Sequence, residues 1–198
     1  MNKTLTCNDR KLKFSETKLS FSNIIYNNIF VEKNNKTVAE TLVHEKYERL
    51  KPRVTEKYSK FLNDKLGTFL QHLKEKNDPF YKKFLNKYGD KHYSKFSISD
   101  PKLLDKKGLY LYCVNEEVKY IGKSTDTFEN RINNGYGNIS PKNCYKDGRS
   151  TNCRINSLVT ANKDNIKLYL LPLDDDKEIN ETEKCLILHY KPEWNIQR

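Results

Sequence analysis

Two tyrosines, one arginine and one glutamate in the second half of this 198-residue chain have side chains of the types that could work on a phosphodiester, though two tyrosines ten apart would by themselves mean little. Tyr110 and Tyr120 stand ten positions apart in a β-rich stretch, Arg131 comes next in a segment of helical pattern, and Glu183 lies in the last helical pattern. Hydrolysis of a phosphodiester needs a water deprotonated near phosphorus, cationic stabilisation of the added charge and help for the leaving oxygen. A hairpin can put both phenols on one sheet face, with Arg131 and Glu183 reaching that face from packed helices. Arg131 is suited to hold a phosphate bidentately. A single carboxylate, Glu183, completed by waters and a phosphate oxygen, suits Mg²⁺, which keeps much of its water shell. A phenol with a pKa of about 10 is a poor base. Lys123 or the metal would have to lower that value by proximity.

The elements that must position these groups can be read from the pattern. After Lys106 and Lys107 comes GLYLYCV (Gly108 to Val114), then a tight turn at Asn115, Glu116 and Glu117, then VKYIG (Val118 to Gly122). The lengths and turn chemistry predict a hairpin. Thr125 or Asp126 would cap a helix carrying Phe128, Arg131 and Ile132. Residues 133–151 read as a Gly-, Asn- and Ser-rich loop, Asn152 to Ala161 as a helix, Ile166 to Leu171 as a third strand, and Ile179 to Tyr190 as a last helix with acids at its front. The order predicts a small α/β sandwich on a three-stranded sheet.

The first half differs. Residues 1–36 suggest a loose hairpin or an extended arm. Helices are expected from about Val38 to Leu50, along the stripe from Val54 to Leu73, and from Asp78 and Pro79 to about Tyr88. Residues 1–100 thus form a basic, mainly helical region, and 101–198 a second domain. The net charge of +11 suits a polyanion partner. It is uneven, with 21 basic and 12 acidic side chains in residues 1–100 against 16 and 14 in the remainder. Aromatics at 12% argue against wholesale disorder. No apolar run approaches the roughly 18–20 residues of a membrane span, so no membrane association is expected. The start lacks a hydrophobic run, which predicts a cytoplasmic protein whose five cysteines are thiols rather than a disulfide framework. Cys144 and Cys153 lack a Cys-x-x-Cys pairing and the four histidines lack metal spacing, so zinc is not expected; nor is NTP use, for want of a Gly-rich phosphate loop.

Gly108-Leu109-Tyr110, then nine residues, then Tyr120-Ile121-Gly122-Lys123, then Arg131, Glu183 and Asn195, resembles the GIY-YIG nuclease superfamily. The first triplet carries Leu for Ile and the second is intact. The resemblance covers residues 106–198. It implies a metal-binding Glu183, with Glu181 the neighbouring acid but only Glu183 at the family spacing from Asn195. It implies Tyr110 as the general base, Tyr120 in the same water network, and Mg²⁺ as cofactor, with Mn²⁺ as a substitute. The stretch at about 133–151 looks like the insertion of GIY-YIG type II restriction endonucleases and the phage endonuclease II group. Asn, Arg and Lys read base edges, so Asn143, Lys146, Arg149, Asn152 and Arg154 are expected to contact DNA.

The implied function is a Mg²⁺-dependent, sequence-specific endodeoxyribonuclease of the restriction type. It would act on double-stranded DNA as a symmetric homodimer, with a cognate methyltransferase encoded nearby. Two alternatives stand beside it: a phage or mobile-element endonuclease of low specificity, and a catalytically silent DNA-binding module.

Overall fold

Residues 2–196, which the computed structural model describes, form strands β1 (Asn2–Cys7), β2 (Arg10–Thr17), β3 (Ser20–Tyr26), β4 (Tyr93–Ser97), β5 (Gly108–Val114), β6 (Glu117–Ser124) and β7 (Ile166–Pro172). The helices are α1 (Val38–Leu42), α2 (Glu45–Glu48), α3 (Lys51–Lys57), α4 (Leu66–Glu75), α5 (Pro101–Leu104), α6 (Ser150–Ala161) and α7 (Asp176–Tyr190). The fold is mixed α/β with an antiparallel sheet. No helix among the described residues is long and apolar enough to cross a membrane.

The chain divides into two units, and not at residue 100. The first takes residues up to Ile24, Ser94–Asn138, and Leu158 onward; the second takes Ile25–Tyr93 and Ile139–Ser157. The expected boundary and the expected insertion at 133–151 are both corrected by this division. Residues 133–136 end a helical turn of the first unit, and most of the remaining stretch belongs to the second.

The sheet of the first unit has five strands in the order β1-β2-β7-β5-β6, not three. The expected trio β7-β5-β6 is present within it. What the sequence pattern left undecided is the N-terminal hairpin, which pairs β2 with β7 at Ser15↔Leu170 through Thr17↔Leu168. An uncovered β7 edge would present a row of unpaired backbone groups, and the β1–β2 hairpin covers it. Its two-residue turn, Asn8 and Asp9, has both φ angles positive (49° and 61°), as a tight hairpin requires. Asn115 and Glu116 (49° and 66°) do the same between β5 and β6.

Every residue of β5 is buried. One of its faces contributes Leu109, Leu111 and Cys113 to a core with Ile121, Leu5, Leu12, Phe14 and, from α7, Ile179 and Leu186. The other face carries Tyr110 and Tyr112. Cys7 and Cys185 are joined by a disulfide, with Cα atoms 6.2 Å apart, which corrects the expectation of five free thiols. That bond ties β1 to α7 across a long span of chain. Cys185→Ser is expected to lower the unfolding free energy by about 2–4 kcal/mol, read as a shifted denaturant midpoint that reductant reproduces in the wild type.

The second unit is helical but more broken than its periodicity predicts. The stripe from Val54 to Leu73 is not one helix, because Val38 and Ala39 donate to Asp64 and Leu62 while Leu66 donates to Lys36. Those bonds pull residues 62–66 out of helical pairing, leaving α3, a 3-10 turn at Ser59–Phe61, and α4. The expected helix at 38–50 splits into α1, closed by a Thr37/Glu40 capping box, and α2, capped by His44. Asp78 accepts from the Phe80 N–H as expected of a cap, but the element it opens is a 3-10 turn, Pro79–Lys83. All the elements bury Phe30, Val54, Phe69, Leu70, Phe84 and Tyr145 in one aromatic-rich core.

Candidate active site

In the β5–β6 hairpin Tyr110 pairs with Gly122 and Tyr112 with Tyr120. Because side chains alternate along a strand, Tyr110, Tyr112 and Tyr120 share one sheet face. Gly122 is there because the Tyr110 ring lies across it: a Cβ at that position would stand 2.4 Å from Tyr110 Cζ and 2.5 Å from its hydroxyl. Gly108, at φ +141°, is required at the other end, where a Cβ would meet the Leu171 carbonyl at 2.2 Å. Gly122→Ala is expected to displace the Tyr110 ring, costing about 1–3 kcal/mol of stability. Thermal melts would check this, alongside a change in tyrosine fluorescence.

The segment predicted as an α-helix carrying Arg131 is a π-helical turn, Glu129–Tyr136, closed by the Gly137 N–H donating to Ile132 O at 2.6 Å. Thr127 Oγ1 accepts from the Asn130 N–H at 3.1 Å, and Asp126 Oδ1 accepts from the Thr127 N–H at 2.7 Å. In a π-turn residues five apart share a face. Arg131 and Tyr136 therefore point the same way, the guanidinium carbon 5.9 Å from the Tyr136 ring centroid. The Tyr136 hydroxyl reaches Tyr110 Oη at 3.0 Å and Tyr120 Oη at 3.4 Å. Tyr136 is thus the hub of the phenol cluster, and it lies in the stretch that reads as a loop. Tyr112 is a further member. Fully buried beside these rings, its hydroxyl has no hydrogen-bond partner among the described residues.

Burial pushes the Tyr110 phenol well above its ordinary range, the Tyr136 and Tyr120 phenols add to this, and Arg131 alone opposes it. Tyr112 is raised in the same way, by burial and then by Tyr136 and Tyr120. Arg131 is half-buried, and burial works against its charge, yet the facing phenols of Tyr110, Tyr136 and Tyr120 hold its pKa above the usual value. The cation acting on Tyr110 is therefore Arg131. Lys123, expected in that role, is engaged elsewhere.

Lys123 comes directly after Gly122 and so points to the opposite face, that of Ile121 and the α7 core. There its ammonium meets Glu183 Oε2 at 2.7 Å. Asp175 caps α7 by accepting from the Glu178 N–H. The stripe of Ile179 and Leu186 seats the helix on the sheet, which turns Glu183 toward the hairpin. Glu181 is the more open of the two acids, its side chain 68% exposed against 18% for Glu183. The expectation that Arg131 and Glu183 reach the same face is corrected. The phenols with Arg131 occupy one face, Glu183 with Lys123 the other, and the backbone of Gly122–Lys123 lies between them. Glu183 and Lys123 line a cavity of about 510 Å³ with Asn180, Lys184 and Lys191.

Asn195 works on the backbone. Its carboxamide donates to Ile121 O at 2.8 Å and accepts from Ile121 N–H at 2.9 Å, while Trp194 N–H donates to Lys119 O. These bonds pin the C-terminal segment to β6 and cover that edge of the sheet. Among the described residues no three His, Cys, Asp or Glu side chains form a group able to hold a metal ion.

The five residues expected to touch DNA lie in the second unit and divide in two. Lys146 and Arg149 are exposed. Asn143 uses its side-chain oxygen to close its own turn, accepting from Ser140 N and Oγ. Asn152 and Arg154, 9% and 7% exposed, are buried, which corrects their assignment as base-reading side chains. Compared with known proteins, the chain matches no family model, no curated protein and no solved structure.

Proposed function

We propose that this chain is a Mg²⁺-dependent endodeoxyribonuclease of the GIY-YIG type, cutting double-stranded DNA at specific sites as restriction enzymes do. The observation that carries the reading is the hydroxyl chain Tyr110–Tyr136–Tyr120 beside the Arg131 guanidinium, set over a glycine that only a close ring requires. Structural tyrosines in a core do not need three hydroxyls and a guanidinium brought to one point.

Arg131 would bind a phosphate oxygen and stabilise charge gained in the transition state. Tyr110, kept protonated by burial, would not be the general base that the resemblance implies; its hydroxyl, with those of Tyr136 and Tyr120, would form a hydrogen-bonded chain beside the phosphate. Glu183, a single carboxylate, would suit an ion that keeps most of its waters better than one needing a protein cage, while Lys123, Lys184 and Lys191 on the same cavity oppose a cation there. Such an ion, when bound, would supply Lewis acidity on the Glu183 side of β6, the side opposite the phenols and Arg131. Lys123 holds the Glu183 carboxylate in position and would release it to the ion.

Cutting both strands of a palindrome calls for two copies related by symmetry, and a restriction role calls for a methyltransferase that spares host DNA. The test is incubation of unmethylated plasmid and genomic DNA with Mg²⁺, alongside Glu183→Gln. Discrete fragments from the wild type alone are expected. A smear would move the reading to a nuclease of low specificity. Inertness of both proteins would refute cleavage. The burial of Tyr110 and the ion pair on Glu183 favour one second reading, a DNA-binding module without turnover, which metal-independent binding with intact DNA would establish.

A further inference from the structure

Positive charge is concentrated in the second unit, which holds 19 Lys and Arg against 10 Asp and Glu, a net of +9 out of +11 for the chain. Within it one lysine is buried. Lys33 ends the 3-10 turn Ile29–Glu32, whose Phe30 anchors in the core, and is only 7% exposed. Its backbone is fixed on both sides, the N–H donating to Phe30 O and the carbonyl accepting from Gly67 N–H. Its ammonium stands 4.6 Å from the centroid of the buried Tyr145 ring, and Tyr145 is locked in turn by its hydroxyl donating to Phe30 O at 2.8 Å.

The Lys33 ammonium makes no hydrogen bond and no ion pair with the described residues. Asp147, the acid that faces it, has its carboxylate engaged by the Tyr47 hydroxyl at 2.5 Å and acts on Lys33 only through space. The Lys33 stem is buried while its ammonium opens on a cavity, where its three N–H donors can meet an acceptor from outside. Lys33 opens on a cavity of about 440 Å³ lined also by Glu32, Asn34, Asn35, Ser140, Pro141 and Lys142. Burial first, then the nearby charges of Lys36 and Lys142, lower the Lys33 pKa against the pull of Asp147. An entering anion would relieve both the lost hydration and the repulsion among these lysines.

We propose that Lys33 and Lys142 form a pocket for a phosphate group of a nucleic-acid backbone. The proposal rests on the DNA-binding part of the proposed function and not on cleavage. Tyr145 provides a rigid floor, Lys33 a pre-positioned ammonium that loses little freedom on binding, and Lys142 a mobile clamp. One such contact positions the duplex without reading its sequence. Lys146 and Arg149, exposed on the same unit, extend the basic surface.

The full chain is titrated, without divalent metal, against a short fluorescent DNA duplex over a range of salt concentrations, and separately heated in inorganic phosphate and in chloride of equal ionic strength. Lys33→Met, which keeps the apolar stem, is expected to weaken DNA binding about tenfold and to flatten the salt dependence by about one counterion. Phosphate is expected to raise the melting temperature of the wild type and not of the variant. Lys142→Gln, at an exposed position, carries the same expectation should Lys33→Met fail to fold. Unchanged DNA affinity and salt slope in a folded variant would overturn the proposal. Stabilisation by inorganic phosphate with unaltered DNA binding would likewise overturn it, assigning the pocket to a small phosphate ligand. Because no arm measures cutting, a protein that binds but never cleaves would sink the nuclease reading and leave this one standing.

Discussion

Arg131→Ala is expected to slow Mg²⁺-dependent DNA cleavage by about three orders of magnitude, the loss found when a guanidinium that stabilises a phosphoryl transition state is removed. Arg131 opposes the upward shift of Tyr110 and lies against Tyr136, so its removal takes away a positive charge at the phenol cluster and, on the proposed reading, the ligand for the phosphate. The π-turn that holds it is closed by backbone bonds, so the turn should survive the substitution. Single-turnover cleavage rates and equilibrium binding, measured on the same preparations, separate the two readings. A catalytic Arg131 lowers the rate while DNA affinity changes little. Rates that fall only as affinity falls would mean that Arg131 is a DNA-contact residue. Arg131→Lys should recover little, since an ammonium cannot reproduce the planar, forked geometry.

Raising the pH past 10 is expected to unfold the protein steeply. Tyr47, Tyr93, Tyr110, Tyr112 and Tyr145 are all essentially buried, and burial raises each phenol far above its ordinary value. Hydrogen bonding to Asp147 adds to the effect at Tyr47. The folded pKa values exceed the unfolded ones, so the unfolded chain releases protons first. The stabilisation is complete below about pH 10 and is lost progressively above it. Each such phenol subtracts about 1.4 kcal/mol per pH unit, and five subtract about 7, comparable to the whole stability of an ordinary domain. Tyr81, pushed up to about 12 by burial and then by its bond to Asp90, has the same sign. Phenolate absorption and circular dichroism recorded together would check this. Ionisation of the buried tyrosines should coincide with loss of ellipticity, and smooth titration with the fold intact would contradict it.

The hairpin of β5 and β6 was legible because alternation, length and a turn of Asn and Glu all agree within seventeen residues. Helices α6 and α7 and strand β7 fell within a few residues of their predicted ends for the same reason: each is a local pattern. What escaped depends on distant partners. Residues 10–17 show too few alternations to be assigned, and only pairing with β7 makes them an inner strand. The break in the Val54–Leu73 stripe comes from hydrogen bonds to residues 36–39, which periodicity does not register. Tyr136 was missed because its Gly- and Asn-rich surroundings read as a loop, whereas the helical turn continues as a π-turn through it. Glu183, singled out by its spacing to Asn195, meets Lys123 of the hairpin, but the face it reaches is set by the placement of α7. Two side chains expected on DNA, Asn152 and Arg154, lie in a stretch of α6 where every residue from Asn152 to Asn156 is buried, a pattern that composition reads as surface.

The pairing of Ser15 with Leu170 also governs when this protein can fold during synthesis. The β1–β2 hairpin emerges from the ribosome long before the strand it docks on. Until β7 arrives, β2 waits with one edge open, and contacts closed over so long a span form slowly. The nascent chain is therefore most exposed to misassembly early in translation, while these two strands still lack their neighbour. A circular permutant that starts near Ser99, so that β5, β6 and β7 are translated ahead of β1 and β2, should shorten that interval and gain soluble yield at the same final stability.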